Sequence, residues 1–300
     1  MKSRGIRGNA DLYLMLAPVF LFYVIFWLWP LYGIQIGFRD FTVSGGFWGS
    51  PWVGLKHFAR YFGSFYLFRT LKNTIGINLY ELAVGFPASI VLALMFNELR
   101  SLRLRNIAQI TSYAPTFLSV MVVAGMIVNF LSPSAGIVNA LLGALGLEPR
   151  HYLAEPEYFW HVYVWSSIWQ RVGFSTIIYT AAMATIPDSY YEAAVIDGAR
   201  KVRRMWHITL PSISPIIVML LILQIGNIMT LAFEKVLLLQ NDLNLEASEV
   251  ISTYVYKAGL LQAQFSYSTA ISIFNMVINM LFLVAANTVS KRVRGVSLWG

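Results

Sequence analysis

The sequence predicts an all-α membrane protein, a single bundle of six transmembrane helices with no soluble domain. Three observations carry this reading. Hydrophobic residues make up 57% of the 300 positions and charged residues only 12%, about half the ~25% charged share of soluble domains. Mean hydropathy is +0.62. Apolar stretches of about 20 residues, the length that crosses a bilayer, recur along the chain. The polar surface is too small to coat a water-exposed globule, so lipid must act as solvent. There is no cysteine, which excludes disulfides and thiolate metal sites.

The expected spans are roughly 12–36, 71–96, 107–131, 158–186, 212–233 and 268–289. The first follows Lys2, Arg4 and Arg7, as the core of a signal peptide would. It is far longer than the roughly 7–15 residues of such a core. It also holds Trp27, Trp29 and Pro30, with no small-residue cleavage site after it, so it is expected to stay. Residues 38–70 are rich in Gly, Trp and basic side chains, and 97–106 are short and basic. Residues 132–157 carry Pro133, Gly136, Pro149 and Pro156, and 234–267 carry mixed charge, as loops do. Trp27, Trp29, Trp48, Trp52, Trp160, Trp165 and Trp169 fall mostly near expected interfaces, where aromatic belts form.

Positive charge sets orientation. With a cytoplasmic N-terminus, 13 of the 22 basic residues fall on inside segments, among them Arg100, Arg103, Arg105, Lys291, Arg292 and Arg294. Both termini are therefore expected in the cytoplasm, and the net charge of +8 needs no nucleic-acid partner. Residues 38–72 depart from the rule, with Arg39, Lys56, Arg60, Arg69 and Lys72 against Asp40 alone. Two readings stay open there. One is an interfacial helix over 55–68, with Phe58, Phe62 and Phe65 among the headgroups and Lys56 and Arg60 snorkelling. The other is a positive entrance that attracts an anionic ligand or acidic partner.

The most structured polar segment is 187–211. Ser189 with Glu192 three residues later reads as a capping box that starts a short helix at Tyr190. Gly198 is its natural stop, since glycine takes the left-handed conformation. A basic turn, Arg200–Trp206, follows, and Pro211 falls where the next span's first turn tolerates a missing N–H. The result is an elbow on the cytoplasmic face, with Ala193 and Ala194 giving it a narrow surface. It could enter a partner's groove or lie on headgroups.

Glu192-Ala193-Ala194, three residues, Gly198, nine residues, then Ile208-x-Leu210-Pro211 resembles the EAA motif of binding-protein-dependent ABC importer permeases. The longer form Glu192 to Ala199 is similar to the carbohydrate-uptake branch. Trp29-Pro30-Leu31-Tyr32 with Phe38-Arg39-Asp40-Phe41, and Gly54-Leu55-x-x-Phe58 leading to Asn73-Thr74, resemble its oligosaccharide and polysaccharide group, which includes alginate-uptake permeases. The resemblance implies a type I importer permease in a bacterial inner membrane, with the elbow as the coupling helix. Tyr190, Tyr191, Glu192, Ala193, Ala194, Asp197, Gly198, Ala199, Arg200, Ile208, Leu210 and Pro211 would then dock an ATPase. It further implies a second permease chain, two ATP-binding subunits and an extracytoplasmic binding protein. No cofactor belongs to this chain, because no Gly-Lys pair and hence no Walker-type phosphate loop occurs. ATP and magnesium would sit on the partners, so the chain itself is not an enzyme.

Polar groups at membrane depth face bundle interiors or pathways. Asn73, Asn78, Glu81, Gln170, Arg171, Gln224, Asn227, Asn275 and Asn279 are the candidates. Amides both donate and accept, which suits a sugar, and they equally serve as glue between helices. Glu81 and Arg171 could form an ion pair, or Arg171 could meet an acidic sugar such as a uronate. The alternative from another class is an ion-coupled secondary transporter of a polar solute. It would more often show repeats and interrupted helices, which the sequence does not display. An intramembrane enzyme lacks any catalytic constellation.

Overall fold

Between residues 10 and 299, the part described by the computed structural model, regular structure is helical apart from one isolated bridge pairing Arg39 with Trp52. Contacts divide the chain into two compact units. One holds the residues up to Ser64 with Val255–Phe274; the other holds Phe65–Tyr254 and the residues from Asn275 on. Lys2, Arg4 and Arg7 lie outside the described residues, as does the side chain of Arg294.

In the first unit α1 (Ala10–Tyr23) runs through a π turn, Val24–Leu28, into a 3-10 segment, Trp29–Phe38. Pro30 enters one residue past the widened turn. A proline in a helix removes one hydrogen bond and crowds the carbonyl four residues earlier, and a π turn relieves both. Leu12–Phe38 forms one apolar run, and its most apolar stretch of 18 residues has no buried side chain, as a lipid-facing span requires. After it come α2 (Gly46–Gly49) and α3 (Lys56–Phe62).

The basic residues here are engaged. Arg39 donates from Nη1 to the carbonyls of Phe47 and Ser50, at 2.7 and 2.9 Å, beside the Trp52 ring. Lys56 Nζ sits 2.6 Å from Asp40 Oδ2, and this hydrogen bond holds the Asp40 carboxyl below its usual range. Arg60 lies over the Tyr267 ring at 4.2 Å. The helix expected over 55–68 is shorter than that. It ends at Phe62, Phe58 packs on Phe38, and Phe62 meets Phe274. Among the described residues only Lys56 of these three faces a carboxylate, so Arg39 and Arg60 are held in place by carbonyls and rings but keep their positive charge.

The second unit opens with α4 (Phe65–Glu98), α5 (Leu102–Tyr113), a 3-10 turn at Ala114–Phe117, and α6 (Val120–Phe130). The span expected over 107–131 is broken, because the segments 102–117 and 120–130 meet at 95°. Pro115 and the extended Ser119 stop the first helix, and Ser119 Oγ accepts from Val122 N–H to start the second. The absence of interrupted helices, used above against a secondary transporter, therefore does not hold.

Next come α7 (Ile137–Ala144) and α8 (Pro156–Met183). At 28 residues α8 is about 42 Å long. Phe159, Tyr163, Val164 and Ile168 join the core with Ile77 of α4. One face of α8 is packed in protein and the other, with Trp165, Trp169, Phe174 and Ile178, is exposed; its polar residues leave it short of the hydropathy of the other long helices. Trp160, expected in an interfacial belt, instead turns inward and donates to the Ala247 carbonyl at 2.9 Å.

The chain continues through α9 (Asp188–Ile196), α10 (Lys201–Arg204), a π turn at Met205–Thr209, and α11 (Leu210–Gly226). Helix runs unbroken over Lys201–Gly226. Here too the π turn precedes the proline, now Pro211.

The stretch 234–267, expected as a loop, is largely helical. It comprises α12 (Phe233–Leu239), α13 (Leu245–Ser248), α14 (Ile251–Tyr256) and a π turn at Lys257–Leu261, before α15 (Phe265–Arg294). Val236, Leu239 and Val250 are fully packed in the core of the second unit.

Candidate functional site

Two features of the second unit carry functional chemistry. The first is the elbow. α9 begins at Asp188, immediately after Pro187, and no side chain caps it. The capping box expected from Ser189 and Glu192 does not form, because Ser189 already lies inside the first turn. Asp188 there complements the positive end of the helix dipole.

The far end matches expectation. Gly198 has φ +75°, its N–H reaches the Val195 carbonyl at 3.0 Å, and Ala199 N–H reaches the Ala194 carbonyl at 2.8 Å. These two bonds are a Schellman motif, which closes a helix and fixes the direction of the outgoing chain.

The residues of the motif divide by exposure. Tyr190, Glu192, Ala193, Asp197, Gly198 and Arg200 are open, and Ala194, Ala199 and Ile208 are half-buried. Tyr191 turns inward, its hydroxyl 3.0 Å from that of Thr209, and Leu210 packs on the core beside Ile213. Those two tie the elbow to its own bundle. Pro211 is exposed at the helix surface. Sequence reasoning passed over Val195, Ile196 and Val202, which stand exposed on the elbow along with Trp206, Ile196 at 87%. Apolar side chains at non-motif positions of a polar loop were the available signal.

The second feature is a polar cavity. Asn78, Glu81, Arg171, Gln224 and Asn227 all line one space of about 160 Å³. Glu81, Arg171, Gln224 and Asn227 also line an adjoining space of about 410 Å³, with Ser89, Ser167 and Ser175 among its other walls. These side chains come from α4, α8 and the end of α11. Gly226 allows that end to close on α15, since a Cβ there would press on Leu283. Lys235, placed in a loop by its charge, is 2% exposed. Its ammonium donates to Ser167 Oγ at 2.7 Å and to the Tyr163 carbonyl at 3.2 Å, and it feels the charges of Glu81 and Arg171. Lys235 lines neither space, and burial pushes its amine down to about 7, so the charges that face the cavity are those of Arg171 and Glu81.

The remaining candidates do not line this cavity. Asn73 is buried and donates to the carbonyls of Glu246 and Glu249, both at 2.9 Å. Gln170 donates from Nε2 to the Leu118 carbonyl at 3.0 Å, and its backbone carbonyl accepts from Thr116 Oγ1 at 2.6 Å. It thereby satisfies backbone freed at the break between α5 and α6. Asn279 accepts from Met229 N–H at 2.9 Å and donates to Thr230 Oγ1 at 3.0 Å, closing the end of α11. Asn275 has a buried side-chain oxygen with no partner among the described residues and does not line the cavity.

Two substitutions separate these roles. Asn73→Ala leaves buried carbonyls without a donor, which costs about 2 kcal/mol, so the unfolding midpoint should fall while transport per assembled complex is kept. Asn227→Ala should do the reverse. Thermal unfolding and transport normalised to assembled protein check both, and a stable Asn73→Ala complex with impaired transport would reverse the assignment.

A helical bundle that lines a charged cavity and exposes a rigid elbow defines a subunit of a membrane transporter. Residues 85–295 match the family described as binding-protein-dependent transport system inner membrane component, and the chain belongs to that family. It is 42% identical over 281 residues to the polygalacturonan/rhamnogalacturonan transport system permease protein YteP of Bacillus subtilis (strain 168), covering 94% of this chain and 88% of that one. Protein LplB of the same organism is 39% identical over 288 residues, 96% of this chain and 91% of the relative. Among solved structures, a bacterial ABC transporter involved in the import of the acidic polysaccharide alginate matches with a TM-score of 0.90. That match has 39% identity and covers 96% of this chain and 98% of the other. A structure of the bacterial alginate transporter with its alginate pentasaccharide-bound periplasmic protein matches equally well, at 0.90 and 38%, with 98% of both chains covered.

Proposed function

We propose that this chain is one transmembrane permease subunit of an ATP-driven importer of oligosaccharides, and that the oligosaccharide is acidic. The chain would form a single permease domain of six spans: the four long apolar helices, the bent α5–α6 pair and α8. Both termini would be cytoplasmic. The polar cavity is the observation that carries the reading. Its amides and hydroxyls suit sugar hydroxyls, and the Arg171 guanidinium on its wall is a charged donor suited to a carboxylate-bearing sugar. The likeness to an importer of an acidic polysaccharide supports the same conclusion.

The chain would supply half of the pathway, a second permease chain the other half. A binding protein delivers the ligand on the outside, and two ATPase subunits carry ATP and magnesium. Tyr190, Glu192, Ala193, Gly198 and the exposed Ile196 present the elbow to the ATPase. ATP binding moves the elbow and shifts the bundle between inward-open and outward-open states, because the ATPase binds the two states unequally.

Uptake by reconstituted complex with binding protein tests this, with unlabelled neutral and uronate oligosaccharides as competitors. Uronates should compete and neutral sugars should not. Arg171→Gln should weaken uronate uptake about tenfold, the loss of one charged hydrogen bond. Uptake that persists without ATP and collapses with the proton gradient would overturn the importer reading, and competition by neutral sugars alone would overturn the acidic ligand.

A further inference from the structure

We propose that a cavity at the base of the elbow binds a phosphate-bearing anion, either a lipid headgroup or a soluble phosphate compound, on Arg105 and Arg204. The cavity is about 680 Å³ and lies between the end of α4, the start of α5, the end of α8 and the elbow. Its charged lining is Glu98, Arg100, Arg105, Asp188, Lys201 and Arg204. Lys201 is committed to Glu98, its ammonium 3.4 Å from the carboxylate and donating to the Glu98 carbonyl at 3.2 Å. That leaves three guanidinium groups facing Asp188 alone. None of the three makes an ion pair among the described residues.

Arg204 makes the stronger point. Its Nε–H is shut off from solvent and has no acceptor among the described residues. A buried charged donor left unpaired is destabilising, and an acceptor arriving from a ligand removes that penalty. Arginine pairs with phosphate through two parallel N–H bonds, so guanidinium groups lining one space suit an anion with oxygens on several sides. The general excess of positive charge on cytoplasmic loops does not account for this. Exposed Arg103 and Arg203 serve that bias fully, whereas Arg105 and Arg204 are drawn partly inward to the cavity. The inference is independent of which ligand is transported.

The full complex in phosphatidylcholine nanodiscs provides the test, in two arms. One measures retention of a fluorescent phosphatidylglycerol present at low mole fraction. The other measures binding of inorganic pyrophosphate, read as the difference between wild type and variants so that the ATPase sites cancel. Arg105→Gln and Arg204→Gln should each weaken binding about fivefold, the worth of one basic residue at a charged surface. Arg103→Gln should leave it unchanged. A loss in the lipid arm assigns a headgroup, and a loss in the pyrophosphate arm alone assigns a soluble phosphate. Equal binding by wild type and variants in both arms overturns the site, as does an equal loss with Arg103→Gln. Should Arg204→Gln fail to assemble, Arg105→Gln carries the same reading.

Discussion

Replacing Gly198 with valine is expected to reduce uptake at least tenfold while the complex still inserts and assembles. The reason lies in the backbone. Gly198 holds φ +75°, and a Cβ placed there meets nothing within 4 Å. No clash contributes, so the whole effect comes from the left-handed conformation, which costs an L-residue about 1–2 kcal/mol and a β-branched one more. The cheapest escape is to leave that conformation, which breaks the bonds from Gly198 to Val195 and from Ala199 to Ala194. α9 would then leave the turn at a different angle, and the ATPase would meet the elbow in the wrong pose. Uptake, ATP hydrolysis with and without liganded binding protein, and membrane abundance check this together. Gly198→Ala should give a milder version of the same phenotype. Full uptake by Gly198→Val would remove the elbow from the coupling mechanism.

Gly173→Val should fail earlier, at assembly. A Cβ on Gly173 would collide with the backbone carbonyl of Ser112, where α8 crosses α5. Backbone cannot rotate away as a side-chain tip does, so one of the two helices must shift. Overpacking costs 1–3 kcal/mol where side chains can yield, and this contact should reach the upper end, about 3 kcal/mol. The expected result is loss of monodisperse complex after detergent extraction, measured by size-exclusion chromatography with fluorescence detection. Gly125→Ala, where a Cβ has open space, should be extracted normally. A stable Gly173→Val complex would mean that α5 and α8 do not pack this closely.

The contrast between these glycines shows what the sequence made legible. Gly198 was readable because a helix stop is local chemistry, written in a few adjacent residues. Gly173 carried no such mark, since its partner Ser112 lies far away in the chain. The same division runs through the polar candidates. Spacing placed Gln224 and Asn227 on one helix face, and they do share the cavity. Spacing could not reveal that Gln170 is spent on the break at Leu118, or Asn73 on α13.

Apolar length found the long helices. It missed the 95° bend between α5 and α6, because the length of an apolar stretch carries no direction and only Pro115 and Ser119 hint at the break. Lys235 was misplaced for the opposite reason. Its charge suggested water, while its neighbours Val236 and Leu239 were already marking a buried helix. Ser189 was misread because Pro187 restarts the helix two residues sooner than a capping box would.

The unbroken helix from Lys201 to Gly226 has a quantitative implication. It is 26 residues long, about 39 Å at 1.5 Å per residue. One end leaves the Gly198 turn and the other presents Gln224 to the cavity. Tilting such a rod by about 5° about one end displaces the other by roughly 3 Å, the length of a hydrogen bond. An angular error too small to disturb the fit at the elbow would thus be enough to open or close a sugar contact at the far end.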